Sequence, residues 1–518
     1  MMKKLCFTLA LALPLSANAQ DLDRAIEDFN NQAYQEAIAG FYEVLKYGEN
    51  RGDRNDARYY MARAMLNENM NFSALSFLRE IILDGPRNRH YVSAIGYLLE
   101  AGNRLRDDFN VPNIINREYG DAFRDLKDVV LDRVNYLIAQ VLYRQDKLDD
   151  ALGFLDPEAG VPAGSSEAPA ARYLSGLVAI RNNDLESALA RFQDALKEAS
   201  KARKAGRTEY SDRVYRQSVL GIARVYYEMG SRLGPDNPEG AKALQNAALH
   251  FRMVPRFTSD WGDAIFERGW VHFQLSEYGK SLGAVHSLSA PFFAENAQHA
   301  EGYVLKMTNY FYNCQWDRVR RTLGEFQRAY GDSIPKLKEF LASKPQEAGD
   351  IWWYEQLLES VKGDAEKAVI PQVIARTVAA NNRYGRLRFF LNALAAEADR
   401  VRAVDLFKGE LAGELLTAMD EARGALEPFM GRLVRDKLRR QLVILQGMAS
   451  QADIIEIQTG LEEAEWLDQQ REIEFAKRKR LPRPFVPSDK FQYWPFHGEY
   501  WIDELGFYEY AIKSECVE

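Results

Sequence analysis

The sequence predicts an all-α protein: a solenoid of antiparallel helix pairs, then long helices, then a short aromatic tail. Three observations lead there. A pattern of apolar helix, polar turn and second apolar helix recurs along residues 22–331. Residues 386–479 are poor in Pro and Gly and dense in Leu, Ala, Glu and Arg. Aromatic and β-branched residues are dense at the end, around Gly498 and Gly506, where short strands or an ordered tail are expected. A hydrophobic content of 47% and an aromatic content of 12% are ample for a large core.

The first segment, residues 1–19, reads as a secretory leader. Lys3 and Lys4 precede an apolar run over residues 5–15, and Ser16-Ala17-Asn18-Ala19 gives a small-x-small exit before Gln20. The apolar run is too short for a membrane anchor, which needs roughly 20 residues. Cys6 lies at the start of the run and not just after it, which argues against a lipid-modified Cys at the mature N-terminus. The paired lysines and Ala-x-Ala-like exit point to the bacterial periplasm. Removing Lys3 and Lys4 leaves 65 basic against 75 acidic side chains, a net charge of −10, which speaks against nucleic acid as partner.

Residues 20–331 carry the repeats. One copy has Tyr173, Gly176 and Ala179 on a first helix, Asn182-Asn183-Asp184 as turn, and Ala188, Phe192 and Ala195 on a second. Others centre on Ala62 with Ala74 and Leu78, on Ala139 with Ala151 and Leu155, on Gly269 with Ser281 and Val285, and on Met307 with Val319 and Leu323. A looser copy holds Tyr34, Ala37 and Phe41, and a stretched one holds Ala223 and Tyr226, its turn enlarged by Gly234-Pro235-Asp236-Asn237-Pro238. Ala37 to Ala74 and Ala151 to Ala188 are each 37 residues, and Tyr278 to Trp316 is 38. This grammar resembles the tetratricopeptide repeat, a helix pair of about 34 residues. The likeness is weakest over residues 91–130, where Asn110-Val111-Pro112-Asn113 interrupts it.

Residues 332–480 read as a helical domain. Short helices are expected near residues 336–341 and 351–361, then long ones forming a hairpin or coiled coil. Leu387, Phe390, Leu391 and Leu394 share a face, as do Leu438, Leu442 and Leu445, and Pro428 marks a break or kink. The basic run Lys477-Arg478-Lys479-Arg480 sits where cations favour a helix C-terminus, or where an acidic partner or anionic lipid would meet it. Residues 481–518 open with Leu481-Pro482-Arg483-Pro484 and Pro487 as linker and continue into the aromatic tail. The tail and layout are similar, more loosely, to tetratricopeptide proteins of deltaproteobacterial envelopes, some in gliding-motility machinery.

No catalytic constellation stands out, and no cofactor or metal is expected. The six His form no His-x-x-x-His with a neighbouring Glu, and no cysteine pair has metal spacing. His272 and His286 fall on the two helices of one repeat, where packing explains them. Neither a Gly-x-Ser-x-Gly elbow nor a phosphate loop occurs. A murein-cleaving transglycosylase would need a catalytic Glu-Ser and a Gly-Leu-Met-Gln-like segment; Glu359-Ser360 stands alone.

Function is therefore expected in a concave groove lined by first helices, which take peptides or helices from other envelope proteins. Groove positions are Tyr59, Arg63, Tyr136, Gln140, Tyr143, Tyr173, Leu177, Ile180, Arg224, Tyr227, Phe266, Trp270, Phe273, Phe311 and Tyr312. The competing assignment for each is core between adjacent repeats. Two functions fit: a periplasmic scaffold for motility, secretion or outer-membrane assembly, or an accessory of cell-wall enzymes that binds peptidoglycan, a murein synthase or a hydrolase. The chain is not expected to span the membrane, though peripheral contact is compatible. Cys314 and Cys516, the two cysteines outside the leader, either bond to each other in an oxidising compartment or stay unpaired, with Cys516 open to another protein.

Overall fold

The computed structural model describes residues 19–206, 208–293, 299–363, 368–470 and 498–516. The leader through residue 18, the basic run 477–480, the linker and Phe491–Phe496 lie outside them. Among the described residues every regular element is a helix. Eight helix pairs come first: α1 (Ala19–Asn30) with α2 (Tyr34–Tyr47), α3 (Arg51–Asn67) with α4 (Asn71–Leu83), α5 (Tyr91–Leu105) with α6 (Asn110–Glu118), and α7 (Asp128–Arg144) with α8 (Leu148–Leu155). Then follow α9 (Ala168–Arg181) with α10 (Leu185–Lys204), α11 (Thr208–Leu233) with α12 (Pro238–Met253), α13 (Trp261–Gln274) with α14 (Tyr278–Leu288), and α15 (His299–Phe311) with α16 (Trp316–Tyr330). Beyond them lie α17 (Ser333–Ala342), α18 (Trp352–Lys362), α19 (Gln372–Ala379), α20 (Asn382–Ala403) and α21 (Glu410–Gln470).

One turn geometry builds seven of the eight pairs. A single residue takes left-handed backbone: Gln32, Asn69, Arg106, Asp146, Asn183, Ser276 and Cys314, with φ between 53° and 64°. The next N–H then reaches back five residues to a carbonyl, as from Met70 to Met65 at 2.8 Å and from Asp184 to Ala179 at 2.9 Å. This is the Schellman closure, which satisfies carbonyls that a helix end leaves open. Five residues after the left-handed position comes a buried side chain where the second helix meets the first: Ala37, Ala74, Ala151, Ala188 or Ser281 in five of the turns and Val111 or Val319 in the other two. The remaining pair, α11 and α12, turns through Gly234 (φ 84°), and Asn237 accepts from the Glu239 N–H at 2.9 Å to start α12. The enlarged turn expected there is present. Asn110-Val-Pro-Asn113 is the first turn of α6 rather than an interruption, a place where proline's missing N–H costs nothing.

In the first unit α1 to α7 pack in succession and in the second α9 to α17 do, and first helices of neighbouring pairs also touch, α1 on α3, α3 on α5, α9 on α11, α11 on α13 and α13 on α15. Where α9, α10 and α11 meet, the buried Phe192 ring fills the space that a side chain at Gly176 would take, and it also packs, less tightly, on Gly221. Deleting such a ring from a core costs about 3–5 kcal/mol.

The chain divides into two compact units, and not at residue 331. The first holds the described residues up to Phe154 together with Gly385–Glu427; the second holds Leu155–Tyr384 and the described residues from Pro428 on. In the first unit, α20 lies along the turns of two pairs. Glu397 caps α4, Arg400 donates to the carbonyls of Glu68 and Asn69 at the end of α3 (2.9 and 3.0 Å), and Arg386 pairs with Asp108 at 3.0 Å. At the start of α21, Glu410 pairs with Lys46 at 2.8 Å and accepts from the Tyr47 hydroxyl at 2.9 Å.

In the second unit, α21 buries Met430, Val434, Leu438, Leu445, Ala452 and Thr459, and the last four recur every seven residues, a spacing that keeps one stripe on one face. Pro428 lies inside α21, which continues past it. No strand forms in the described tail, residues 498–516; it makes turns over residues 502–507, continues without regular structure, and is seated on helices.

Candidate protein-binding face

In the first unit the expected groove residues are mostly engaged in packing. Tyr59 is only 7% exposed, its ring stacked on His90 with centroids 4.0 Å apart, so it belongs to the core and not to a groove. The reason is its position on α3 beside the start of α5, where Asp56, also buried, holds His90 at 2.7 Å and pairs with Arg89. Burial, then Arg89 and Arg63, pulls His90 down to about 4. Arg63 lies 5.0–5.4 Å from the ring centres of Phe29, Tyr59, Tyr60 and Tyr97, which together take its charge on their faces. On α7, Tyr136 and Tyr143 are half-buried, with Arg133 5.7 Å from the Tyr136 ring.

In the second unit the first helices carry a continuous ladder. Tyr173 and Leu177 on α9 are half-buried and Ile180 is exposed. On α11 the exposed Arg224 makes a forked pair with Glu267 of α13, Nε to Oε2 at 2.8 Å. The forked geometry holds both side chains in one orientation. Further along, Gln274 donates to the Tyr227 hydroxyl at 2.9 Å and accepts from Ser231 at 3.0 Å. On α13 the Trp270 indole donates to Glu301 of α15, whose carboxyl burial pushes up. Phe273 meets Trp270 at 5.8 Å and Tyr312 at 5.2 Å, both edge to face, and Phe311 meets Trp316 at 5.7 Å. Tyr312 is 57% exposed.

Phe266 corrects the expected list. It is 4% exposed and packs among Ile265, Val285 and Leu305, because it lies on the side of α13 that faces α14 and α15. The ladder thus gathers Arg224, Tyr227, Trp270, Phe273 and Tyr312 and leaves Tyr59 and Phe266 in cores.

The seat of the tail is the part that sequence reasoning missed. The tail runs antiparallel to α14. The Gly506 N–H donates to Ser287 Oγ at 2.8 Å and the Tyr510 N–H to the Gly279 carbonyl at 3.0 Å. A side chain at Gly283 would overlap the Tyr508 carbonyl, and one at Gly279 the Tyr510 carbonyl. Gly279, Gly283 and Ser287 lie four apart, so they form one narrow channel on α14. That spacing was the available signal. Leu505 is buried in the core beside Ile265, Gln315 donates to the Lys513 carbonyl at 2.8 Å, and the Glu515 N–H donates to the Asn313 carbonyl at 3.0 Å. Cys314, in the left-handed position of the last pair's turn, is disulfide-bonded to Cys516 with Cα atoms 5.0 Å apart. Beside the tail opens a cleft of about 390 Å³, with His286, Tyr303, Lys306, Glu325, Tyr500 and Tyr510 on its walls. Lys306 and Glu325 pair at 2.8 Å.

Among the described residues no helix is long and apolar enough to cross a membrane, and no three His, Cys, Asp or Glu side chains group as metal ligands would. No protein-family model matches the chain, and no curated protein is similar to it. Among the solved structures that overlap it loosely are two tetratricopeptide-type chains. The tetratricopeptide domain of P58(IPK) has 10% identity, with 78% of this chain and 98% of that one covered, at a TM-score of 0.18. Yeast Tom70 has 12% identity, with 88% and 98% covered, at a TM-score of 0.20. At that degree of overlap neither assigns a role to any residue.

Proposed function

We propose that this chain is a protein-interaction scaffold of the bacterial periplasm, and not an enzyme, holding a peptide or helix from another envelope protein on the first-helix face of its second unit. The observation that carries the reading is the ladder across α11, α13 and α15. An ion pair and side-chain hydrogen bonds fix its helices to one another, while Trp270, Phe273 and Tyr312 stay partly open as one aromatic patch. Aromatic anchors on a preorganised backbone are what interface centres favour. The leader-like start of the sequence supports export, and the Cys314–Cys516 bond suits an oxidising compartment. The broader setting, whether motility, secretion or outer-membrane assembly, follows from whichever partner binds.

The test is crosslinking capture from periplasm with wild type and with Trp270→Ala/Phe273→Ala. A folded double variant that loses a partner held by wild type supports the face. One that keeps every partner ends the proposal.

A second reading, an accessory of cell-wall enzymes, is favoured by the tyrosine-walled cleft beside the tail. Its rings and its self-neutralising Lys306–Glu325 pair suit a neutral, hydroxyl-rich ligand such as a sugar ring. Cosedimentation with purified murein sacculi separates the two readings.

A further inference from the structure

Three arginines converge beneath the tail. Arg252 ends α12, Arg256 follows in the loop to α13, and Arg268 lies on α13. All three line one cavity of about 20 Å³, whose other walls include Phe251, Trp261 and Phe507. A site of about 10–15 Å³ already accepts one water-sized occupant.

The partners of these arginines are the tail's backbone and rings. Arg256 donates to the Ile502 carbonyl at 2.6 Å and Arg268 donates to the Gly506 carbonyl. Arg252 and Arg256 lie 5.6 and 5.4 Å from the Phe507 ring centre. Among the described residues none of the three pairs with a carboxylate, and the Nε atoms of Arg256 and Arg268 are buried without a hydrogen-bond partner. Burial, together with the like charge of Arg252, pulls Arg268 down to about 10.

Carbonyls and rings supply partial negative charge only. Arg252 is exposed and Arg256 half-buried, so water screens both, but Arg268 is largely withdrawn from water with no counter-charge facing it among the described residues, and a charge so placed is costly. A water molecule would satisfy an N–H but would leave the charge.

We propose that the cavity ringed by Arg252, Arg256 and Arg268 is a binding site for a small anion, which fastens the tail to α12 and α13. The room admits one anionic atom: a chloride ion, or one charged oxygen of a phosphate or carboxylate.

Thermal unfolding of the full chain, followed at equal ionic strength in sodium gluconate, chloride, phosphate and acetate, tests this. A small anion that binds raises the midpoint over gluconate by about 1–2 °C once it is several times above its Kd. An effect of chloride alone assigns a monatomic site; an effect of phosphate or acetate assigns an oxyanion site. Arg252 is exposed, so Arg252→Gln leaves the core intact, and the small-anion advantage disappears in it. That comparison removes general salt effects. Arg252→Glu brings its own carboxylate to the ring and becomes indifferent to the anion. A wild type indifferent to all three small anions, or an Arg252→Gln variant that responds like wild type, overturns the site.

Discussion

The carboxylate of Glu397 accepts hydrogen bonds from both the backbone N–H and the hydroxyl of Ser73, at 2.8 and 2.6 Å, across 324 residues of sequence. Its other oxygen accepts from the Phe72 N–H at 2.8 Å. Met70, at the N-cap of α4, has no side chain able to do this, so a distant helix supplies the cap. Glu397 is 3% exposed, and burial pushes its carboxyl up. Glu397→Ala leaves buried donors unmet and lowers the stability of the first unit by about 2–3 kcal/mol. Glu397→Gln keeps an acceptor without a charge to bury and costs roughly half as much. Urea unfolding gives the magnitudes, and faster amide exchange at Phe72 and Ser73 in the Ala variant locates the loss.

Gly283→Ala unseats the tail. The added methyl collides with the Tyr508 carbonyl, backbone that a flexible side-chain end cannot absorb. The Cys314–Cys516 bond keeps the chain attached, so the expected result is faster proteolysis between residues 498 and 512 with the disulfide intact. Gly302→Ala is the control, because its nearest neighbour is an ordinary contact at 3.7 Å. Equal proteolysis of the two variants would refute the channel.

Tail docking weakens on acidification. His286 stacks on Tyr500 at 4.6 Å, with Nε2 3.3 Å from the Glu499 carbonyl and Nδ1 3.2 Å from the Tyr510 hydroxyl. Burial, opposed by the Glu499 carbonyl and aided by Lys306, lowers it from its ordinary 6.5. The undocked state therefore binds the proton more readily. The contribution to docking is complete above about pH 6.5 and fades as pH falls below it. Amide exchange at Gly506 and Tyr510, corrected for intrinsic rate, rises from pH 7.5 to pH 5.5. His286→Phe retains the ring and flattens the response.

Gln32→Gly stabilises the first unit. Gln32 holds φ at 64° and is exposed, so its side chain contributes only the left-handed strain. Glycine relieves that strain at some cost in unfolded-chain entropy, for a net gain of about 0.5–1 kcal/mol. Gln32→Val, β-branched, shifts the urea midpoint the other way.

The repeats were legible because their constraint is local. Asn69, Asp146 and Asn183 are polar residues between two apolar runs, and the buried alanines five places later fix the register. The pair α5 and α6 was obscured because Arg106 is an unusual left-handed residue and Pro112 looks like a breaker until it is placed in a first turn. Of the groove residues, those on α11 and α13 that point between neighbouring first helices were readable from spacing. Tyr59 and Phe266 were not, since what buries them, His90 and the α14–α15 face, lies outside their own helix. The unit boundary was hidden for the same reason: nothing near Glu397 in sequence announces that its partner is Ser73.

The capping of α4 by Glu397 also sets a clock. A ribosome adding about 5–20 residues per second delivers Glu397 on the order of 15–60 s after Ser73. Until then the first four helix pairs lack part of the unit that completes them. Completion of the first unit therefore waits until most of the chain has been made.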